Sequence, residues 1–320
     1  MMKLRFVAWM FCGVLTVLGA GEVAAQVYPN KPIRIVTLGV GTTNDFMARM
    51  VAQAASGPLG QQIIVENRAG SAIIPGQVVS KSAPDGYTLL YTAASTWLVT
   101  LLQKDVPYDP VKDFAPITLT SKGINALVVH PSLPVKSVKD LIALAKARPG
   151  QLNFSTGATG GSTQLAAELF KYMAGVNMVR VIYTSGSVEV SELLSGQVQL
   201  TFGSGSLMAH VKTGKLRAVA ITSANPSALY PGLPPVSAAI PGYESVGYFG
   251  MFAPPQTPAA IVNRLNQEVV RAINQPDVKE NFNKSGFELI GNRPEEFAAT
   301  IKSELAKWSK VFMEAGISAK

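Results

Sequence analysis

Two patterns of apolar positions alternate along most of this chain. Short apolar runs, beginning with Ile33-Arg34-Ile35-Val36, are separated by stretches whose apolar positions recur at helical spacing. Strands are predicted at 33–36, 62–66 and 88–92, with helices starting near 43 and 75 between them. The first of these helices carries Phe46, Met47, Met50, Val51 and Ala54 on one apolar face. This β-α-β-α-β order favours a parallel sheet. A second block follows, with strands at 115–120, 126–130, 152–155, 179–183, 198–202 and 216–222. Its helices are predicted at 137–146, 163–174 and 188–195. Ser137 caps the first of them, with Asp140 as a capping-box partner. A strand at 247–252 comes next. Thr257 is expected to cap a helix with Pro258 in its first position. The last helix opens at Pro294 and carries the stripe Phe297, Ile301, Leu305, Trp308 and Phe312, whose spacing reads as core packing.

Small polar loops sit where several strands end. The first is Thr37 to Asn44, between strand and helix. The first turn of a helix leaves N–H donors unpaired, and the helix dipole adds partial positive charge there. Such a loop suits a phosphate or a carboxylate. In open α/β sheets ligands bind beyond the carboxyl ends of the strands. Candidate ligand-binding residues are therefore Gly39, Gly41, Thr42, Thr43 and Asp45 from the first loop, and Ser95 after the third strand. The loop at 155–162 contributes Ser155, Thr156, Gly157, Thr159, Gly160 and Ser162, where glycine lets a ligand approach the backbone closely. Ser185, Gly203 and Ser204 complete the set. Each loop also has a plain reading as a turn, with Asn44, Asp45, Ser162 or Thr163 only capping a helix. Asp45 receives a ligand amino group on one reading and caps its helix on the other. Two such sheets face to face would build a cleft with helix N-termini on both sides.

The N-terminus reads as a separate unit. Lys3 and Arg5 precede an apolar run from Phe6 to Ala20, and Val23-Ala24-Ala25 is a plausible cleavage site. Residues 1–25 are expected to be a secretory signal peptide, which places the mature protein in the periplasm of a Gram-negative cell. Cys12, the single cysteine, falls inside that leader, so the mature chain has no thiol chemistry. The apolar run is short for a membrane span, which needs about 20 residues. Net charge is +8, and loss of Lys3, Arg5 and Glu22 with the leader makes it +7. The Lys and Arg residues are scattered, with no basic stripe interleaved with aromatics, so no nucleic-acid partner is expected. A monomer is expected.

Enzyme chemistry finds little support. Gly39-x-Gly41-x-x-Asn44 after a strand, with Glu66 ending the next, partly matches a dinucleotide fingerprint, but the third glycine is missing. His130 and His210 stand beside no nucleophile motif, and no cluster has metal-ligand spacing. Neither a cofactor nor a metal is expected.

An ordered series of motifs then carries a family resemblance. Tyr28-Pro29-Asn30-Lys31-Pro32-Ile33-Arg34 is followed by Asp45 with Ala48-Arg49, then by Val65-Glu66-Asn67-Arg68 and Pro84-Asp85-Gly86-Tyr87. Tyr108-Asp109-Pro110, Lys136-Ser137-Val138-Lys139-Asp140-Leu141, Gly214-Lys215-Leu216-Arg217-Ala218 and Pro294-Glu295-Glu296-Phe297 complete it. The series resembles the Bug family of TctC-like substrate-binding proteins, which serve tripartite tricarboxylate transporters. It covers essentially the whole mature chain. The resemblance implies a two-lobed periplasmic binding protein of type II, the Venus flytrap, each lobe a mainly parallel sheet flanked by helices. Lobe one would be 27–123 plus 226–320 and lobe two 124–225, joined by a hinge. It also implies a solute receptor rather than an enzyme. That receptor would capture a small organic carboxylate between facing loops and pass it to membrane transporter subunits. A ligand sensor that shows its closed form to a membrane signalling receptor is the alternative. The chain departs from the family pattern in its loops. Thr37 to Asp45 keeps one of the usual paired glycines, Gly203 stands where an aspartate is usual, and Thr184-Ser185-Gly186 replaces Lys-Gly-Gly.

Overall fold

A computed structural model describes residues 28–157, 160–183 and 185–314. The expected signal peptide, Thr159 and Thr184 lie outside these residues. A nearly continuous buried run forms β1 (Ile33–Leu38), a strand covered on both faces, and the loop after it delivers the chain into α1 (Thr43–Leu59). β2 (Ile63–Arg68), α2 (Ile73–Ser80), β3 (Thr88–Ala93) and the short α3 (Ser95–Leu98) follow. β4 (Ala115–Ile124) runs almost without a break into β5 (Ala126–Val129), with Asn125 alone between them. Next come α4 (Val138–Ala147), β6 (Asn153–Thr156), α5 (Ser162–Ala174), β7 (Val179–Ile182), α6 (Gly186–Ser195) and β8 (Leu200–Gly203). A 3₁₀ turn at Gly205–Leu207 leads to α7 (Met208–Lys212) and β9 (Arg217–Ile221). The chain ends with β10 (Val246–Ala253), α8 (Ala259–Ile273), α9 (Pro276–Lys284), β11 (Phe287–Leu289) and α10 (Pro294–Glu314).

The strands form two sheets. One has the order β11-β4-β10-β3-β1-β2, the other β7-β6-β8-β5-β9. Helices flank both, so the two-sheet α/β architecture expected from the sequence is the one observed. The parallel character needs correction. β1 pairs in parallel with β2 and β3, and β6 with β7 and β8, as βαβ units must. Every pairing made by β4, β5 and β10 is antiparallel. These three strands belong to the passages between sheets, so they enter from the opposite end.

The passages lie side by side. Asn125 N–H donates to Thr222 Oγ1 at 3.0 Å, and Thr222 N–H donates to the Asn125 carbonyl at 2.9 Å. Behind them, one apolar cluster extends from Trp97, Phe252 and Phe297 on the first sheet to Leu169, Phe170 and Phe202 on the second. Trp97 and Phe297 meet edge to face at 5.9 Å between centroids, and Phe252 lies 4.7 Å from Phe297. Glycine at 250 is required by this packing, because a Cβ there would lie 2.5 Å from Phe297 Cζ. Tyr243 OH ties the second passage to α5 by donating to the Ala166 carbonyl at 2.9 Å.

Some element readings change. Phe46 is 48% exposed rather than core, and the buried face of α1 is Met47, Ala48, Val51, Ala52 and Ala55. Thr257 does not cap α8. Its hydroxyl donates to the Pro254 carbonyl, and Pro258 itself is the cap residue. On α10, Val311 joins Phe297, Ile301, Trp308 and Phe312 in the buried stripe, and Leu305 is half-buried.

Candidate functional site

The loop after β1 is fixed by its own polar residues. Thr42 is the cap of α1, with Oγ1 accepting the Asp45 N–H at 3.2 Å. Gly41 has φ +78°, a conformation that suits glycine. Its N–H donates to Asp45 Oδ2 at 2.9 Å. Asp45 Oδ1 accepts from Asn67 Nδ2 at 2.7 Å and pairs with Arg49 Nε at 2.9 Å. The residue is 4% exposed. Burial pushes its carboxyl up, but the Asn67 and Gly41 hydrogen bonds and Arg49 outweigh that, so its pKa lies below the ordinary 3.8. Asp45 therefore holds the loop, and Asn67 and Arg49 hold Asp45.

A stability prediction follows. Asp45→Ala strands the Gly41 and Asn67 donors and is expected to cost about 2–3 kcal/mol in urea unfolding. The pH dependence has a definite sign. A depressed folded pKa contributes stability that is complete above the unfolded value and is lost as pH falls through the folded one. The gap between wild type and Asp45→Ala should thus shrink on acidification below about pH 4. A gap that stays constant down to low pH would argue against an ionised, hydrogen-bonded Asp45.

Beyond the strand ends, the two sheets enclose a cleft in two connected parts. One, of about 560 Å³, is lined by Gly41, Thr42, Thr43, Asp45, Phe46 and Arg49 from the first sheet's loop. Gly123, Asn125, Gly247, Phe249 and Phe287 form its floor, and Ser162 and Ser204–Ser206 face it from the second sheet. The other, of about 660 Å³, shares Thr43, Asn125, Ser162, Ser204 and Ser206, and adds Glu189, Thr201, Gly203 and Leu207. Phe249 and Phe287 meet edge to face at 5.3 Å, giving the first part an apolar wall.

Helix starts from both sheets meet at this cleft. Among the described residues, no hydrogen bond occupies the N–H of Thr43 or Asn44 at the start of α1. The same holds for Ser162, Thr163 and Gln164 at the start of α5, whose first internal bond is Leu165 N–H to the Gly161 carbonyl. Asn125, 5% exposed, has no acceptor for its Nδ2 among the described residues. A buried donor without a partner is costly, so a polar guest at this position is favoured.

The expected site residues separate into two groups. Gly41, Thr42, Thr43, Asp45, Ser162, Gly203 and Ser204 line the cleft. Gly39 packs beside Ala69, and Ser95 is half-buried in the first turn of α3 rather than in a loop. Ser155 and Thr156 are fully buried within β6. The Ser155 hydroxyl donates to Glu189 Oε1 at 2.8 Å, and Arg180 Nε donates to Thr156 Oγ1 at 2.8 Å. Their hydroxyls are engaged inside the lobe, behind the wall. Gly157 is half-buried, and Gly160, with φ +80°, is buried and donates its N–H to Gln164 Oε1 at 2.8 Å. Ser185 caps no N–H of α6 and its hydroxyl lies 2.9 Å from that of Ser187. Sequence reasoning missed Phe46, Arg49, Asn125, Phe249, Phe287 and Glu189. Only Asn125 left a signal, as an amide between two apolar strands.

Catalytic arrangements are not formed at the positions weighed above. Glu66 pairs with Arg34 at 2.9 Å and with Arg68 at 2.5 Å. His130 Nδ1 lies 2.7 Å from Ser132 Oγ. Among the described residues no His, Cys, Asp or Glu group could hold a metal ion, and no helix is long and apolar enough to cross a membrane.

Comparison with known proteins agrees with this geometry. The family model described as the tripartite tricarboxylate transporter family receptor matches residues 47–317. Protein BugT of Bordetella pertussis is 32% identical over 307 residues, covering 94% of each chain. The structure of R. palustris Rpa4515 with adipate superposes with a TM-score of 0.79 at 32% identity, covering 92% of this chain and all of that one. MatC from Rhodopseudomonas palustris, with bound malate, gives a TM-score of 0.74 at 25% identity, over 89% of this chain and 99% of the other.

Proposed function

Because the chain belongs to the tripartite tricarboxylate transporter receptor family, we propose that it captures a small organic carboxylate in the periplasm for a tripartite-type membrane transporter. The family is one of solute receptors rather than enzymes. The observation that carries the ligand class is the convergence on one cleft of N–H groups from α1 and α5 that have no partner among the described residues. Donors fixed by a fold replace an anion's water without reorganising. Among the described residues two carboxylates line the cleft, and Asp45 is already held by its own partners. The adipate and malate of the two relatives are small carboxylates, which supports the class.

The lobes are taken as 27–123 with 226–320, and 124–225. The hydrogen-bonded pair Asn125 and Thr222 supports a hinge at the two passages. Closure would bring the start of α5 toward that of α1 around a desolvated anion. Thermal shift of the mature protein against mono-, di- and tricarboxylates tests the reading, with native mass spectrometry to catch a co-purified acid. A ligand at a hundredfold excess over its dissociation constant should add about 2.7 kcal/mol. A flat response across every acid, with none co-purified, would remove the reading. Co-purification of the liganded protein with the transporter's membrane subunits tests the partner.

A further inference from the structure

Glu189 is out of place in a cleft built for anions. It lies in the first turn of α6, half-buried, and lines the second part of the cleft together with Ser162, Thr201 and Gly203. Its Oε1 accepts from Ser155 Oγ at 2.8 Å and lies 3.4 Å from Thr201 Oγ1. No lysine, arginine or histidine among the described residues forms an ion pair with it, in contrast to Asp45 and Glu168. Among the described residues Oε2 accepts no hydrogen bond. The neighbouring Tyr183 hydroxyl is pushed up to about 12 by burial, then by Glu192 and by Glu189. This wall is therefore negative, while the amide donor of Asn125, 5% exposed and unpartnered, faces the same cavity.

A simple dicarboxylate placed here would meet Glu189 as a like charge, with no cation among the described residues paired to it. A ligand with a protonated nitrogen would instead complete the unpaired carboxylate. We propose that the acid this cleft takes is zwitterionic, with its carboxylate on the helix starts and Asn125 and its ammonium on Glu189. The inference rests on the receptor reading above. Asp45 is the poorer ammonium partner, since it already accepts from Gly41 and Asn67 and is paired with Arg49. Burial of Ser155 also finds a purpose, since its hydroxyl fixes the rotamer of Glu189.

The test is calorimetry with matched pairs that differ only in the amino group: aspartate and succinate, glutamate and glutarate, phenylalanine and 3-phenylpropionate. The amino member of at least one pair is expected to bind about tenfold tighter or more. Glu189→Gln, which keeps the Ser155 contact, is expected to erase that preference. Glu192→Gln removes the same charge one turn along, where the carboxylate is held by Tyr183, and is expected to keep it. Deaminated acids that bind as well as their partners, or a preference that survives Glu189→Gln, would overturn the inference and leave the receptor reading standing. The wild-type comparison decides even where a variant folds poorly. Failure of every acid, with or without an amine, would remove both.

Discussion

Ser162→Asp is expected to weaken acid binding by about a hundredfold while leaving the fold intact. Ser162 is the first residue of α5, half-buried, and borders both parts of the cleft. An acidic side chain in the first turn of a helix is favourable by about 0.3–1 kcal/mol, so Ser162→Asp should unfold no more easily than wild type. The same carboxylate would occupy the donors meant for the ligand. Two like charges about 4 Å apart repel by about 4 kcal/mol at an effective dielectric constant near 20. Solvent in the open cleft reduces this, and a loss of about a hundredfold in affinity is expected. Ser162→Ala is the informative companion. If backbone N–H groups hold the anion, removing the hydroxyl should weaken binding by about tenfold at most. Calorimetry on the two variants separates the cases. Retained binding in Ser162→Asp would mean that the anion sits elsewhere.

Phe297→Ala is expected to cost about 3–5 kcal/mol, the largest stability loss among these substitutions. The ring is fully buried, stacks near Trp97 and Phe252, and lies against the bare Cα of Gly250. Its removal opens a cavity where α10 meets the central strand of the first sheet, in the cluster that continues toward the second. Neighbouring rings are large and mutually braced, so the gap can collapse only partly. Urea denaturation gives the loss directly. A cost near 1 kcal/mol would show that α10 closes the gap by shifting, and that the cluster does not fix its position.

Phe297 illustrates what the sequence made legible. Its spacing with Ile301, Trp308 and Phe312 exposes the apolar stripe of a long helix directly. The βαβ units around β1 and β6 are equally plain, because apolar strand cores and helical periods alternate without interruption. The cap of α1 was harder. Asn44 and Asp45 read as its cap in the sequence, yet Asp45 donates its N–H to Thr42 Oγ1, which makes Thr42 the cap. α9 escaped notice because it is polar, with Phe282 its one buried residue, and β11 has only three residues. The antiparallel pairings were hidden for another reason: strand direction depends on where the chain crosses between sheets, which local periodicity does not encode.

The lining of the cleft was legible at its loops and illegible at its walls. Gly41, Thr42 and Ser162 follow strands in the sequence, and strand ends mark sites in this architecture. Ser155 and Thr156 look the same in sequence, yet they belong to β6, where they point to opposite faces of the sheet and their buried hydroxyls are taken up by Glu189 and Arg180. Glu189, Asn125 and Phe287 reach the cleft from a helix, a crossing point and an edge strand. Their convergence is a tertiary fact.

The most direct measurement is a crystal structure of the mature protein saturated with the acid that gives the largest thermal shift. The expected result places a ligand carboxylate about 3 Å from the N–H of Thr43 or Asn44 and from one of Ser162 to Gln164, with the lobes closed on it. An acid found instead in the outlying hollow between Tyr108 and Leu305, or held only by Arg49 with the α5 start empty, would contradict the assignment of the cleft as a two-sided anion site.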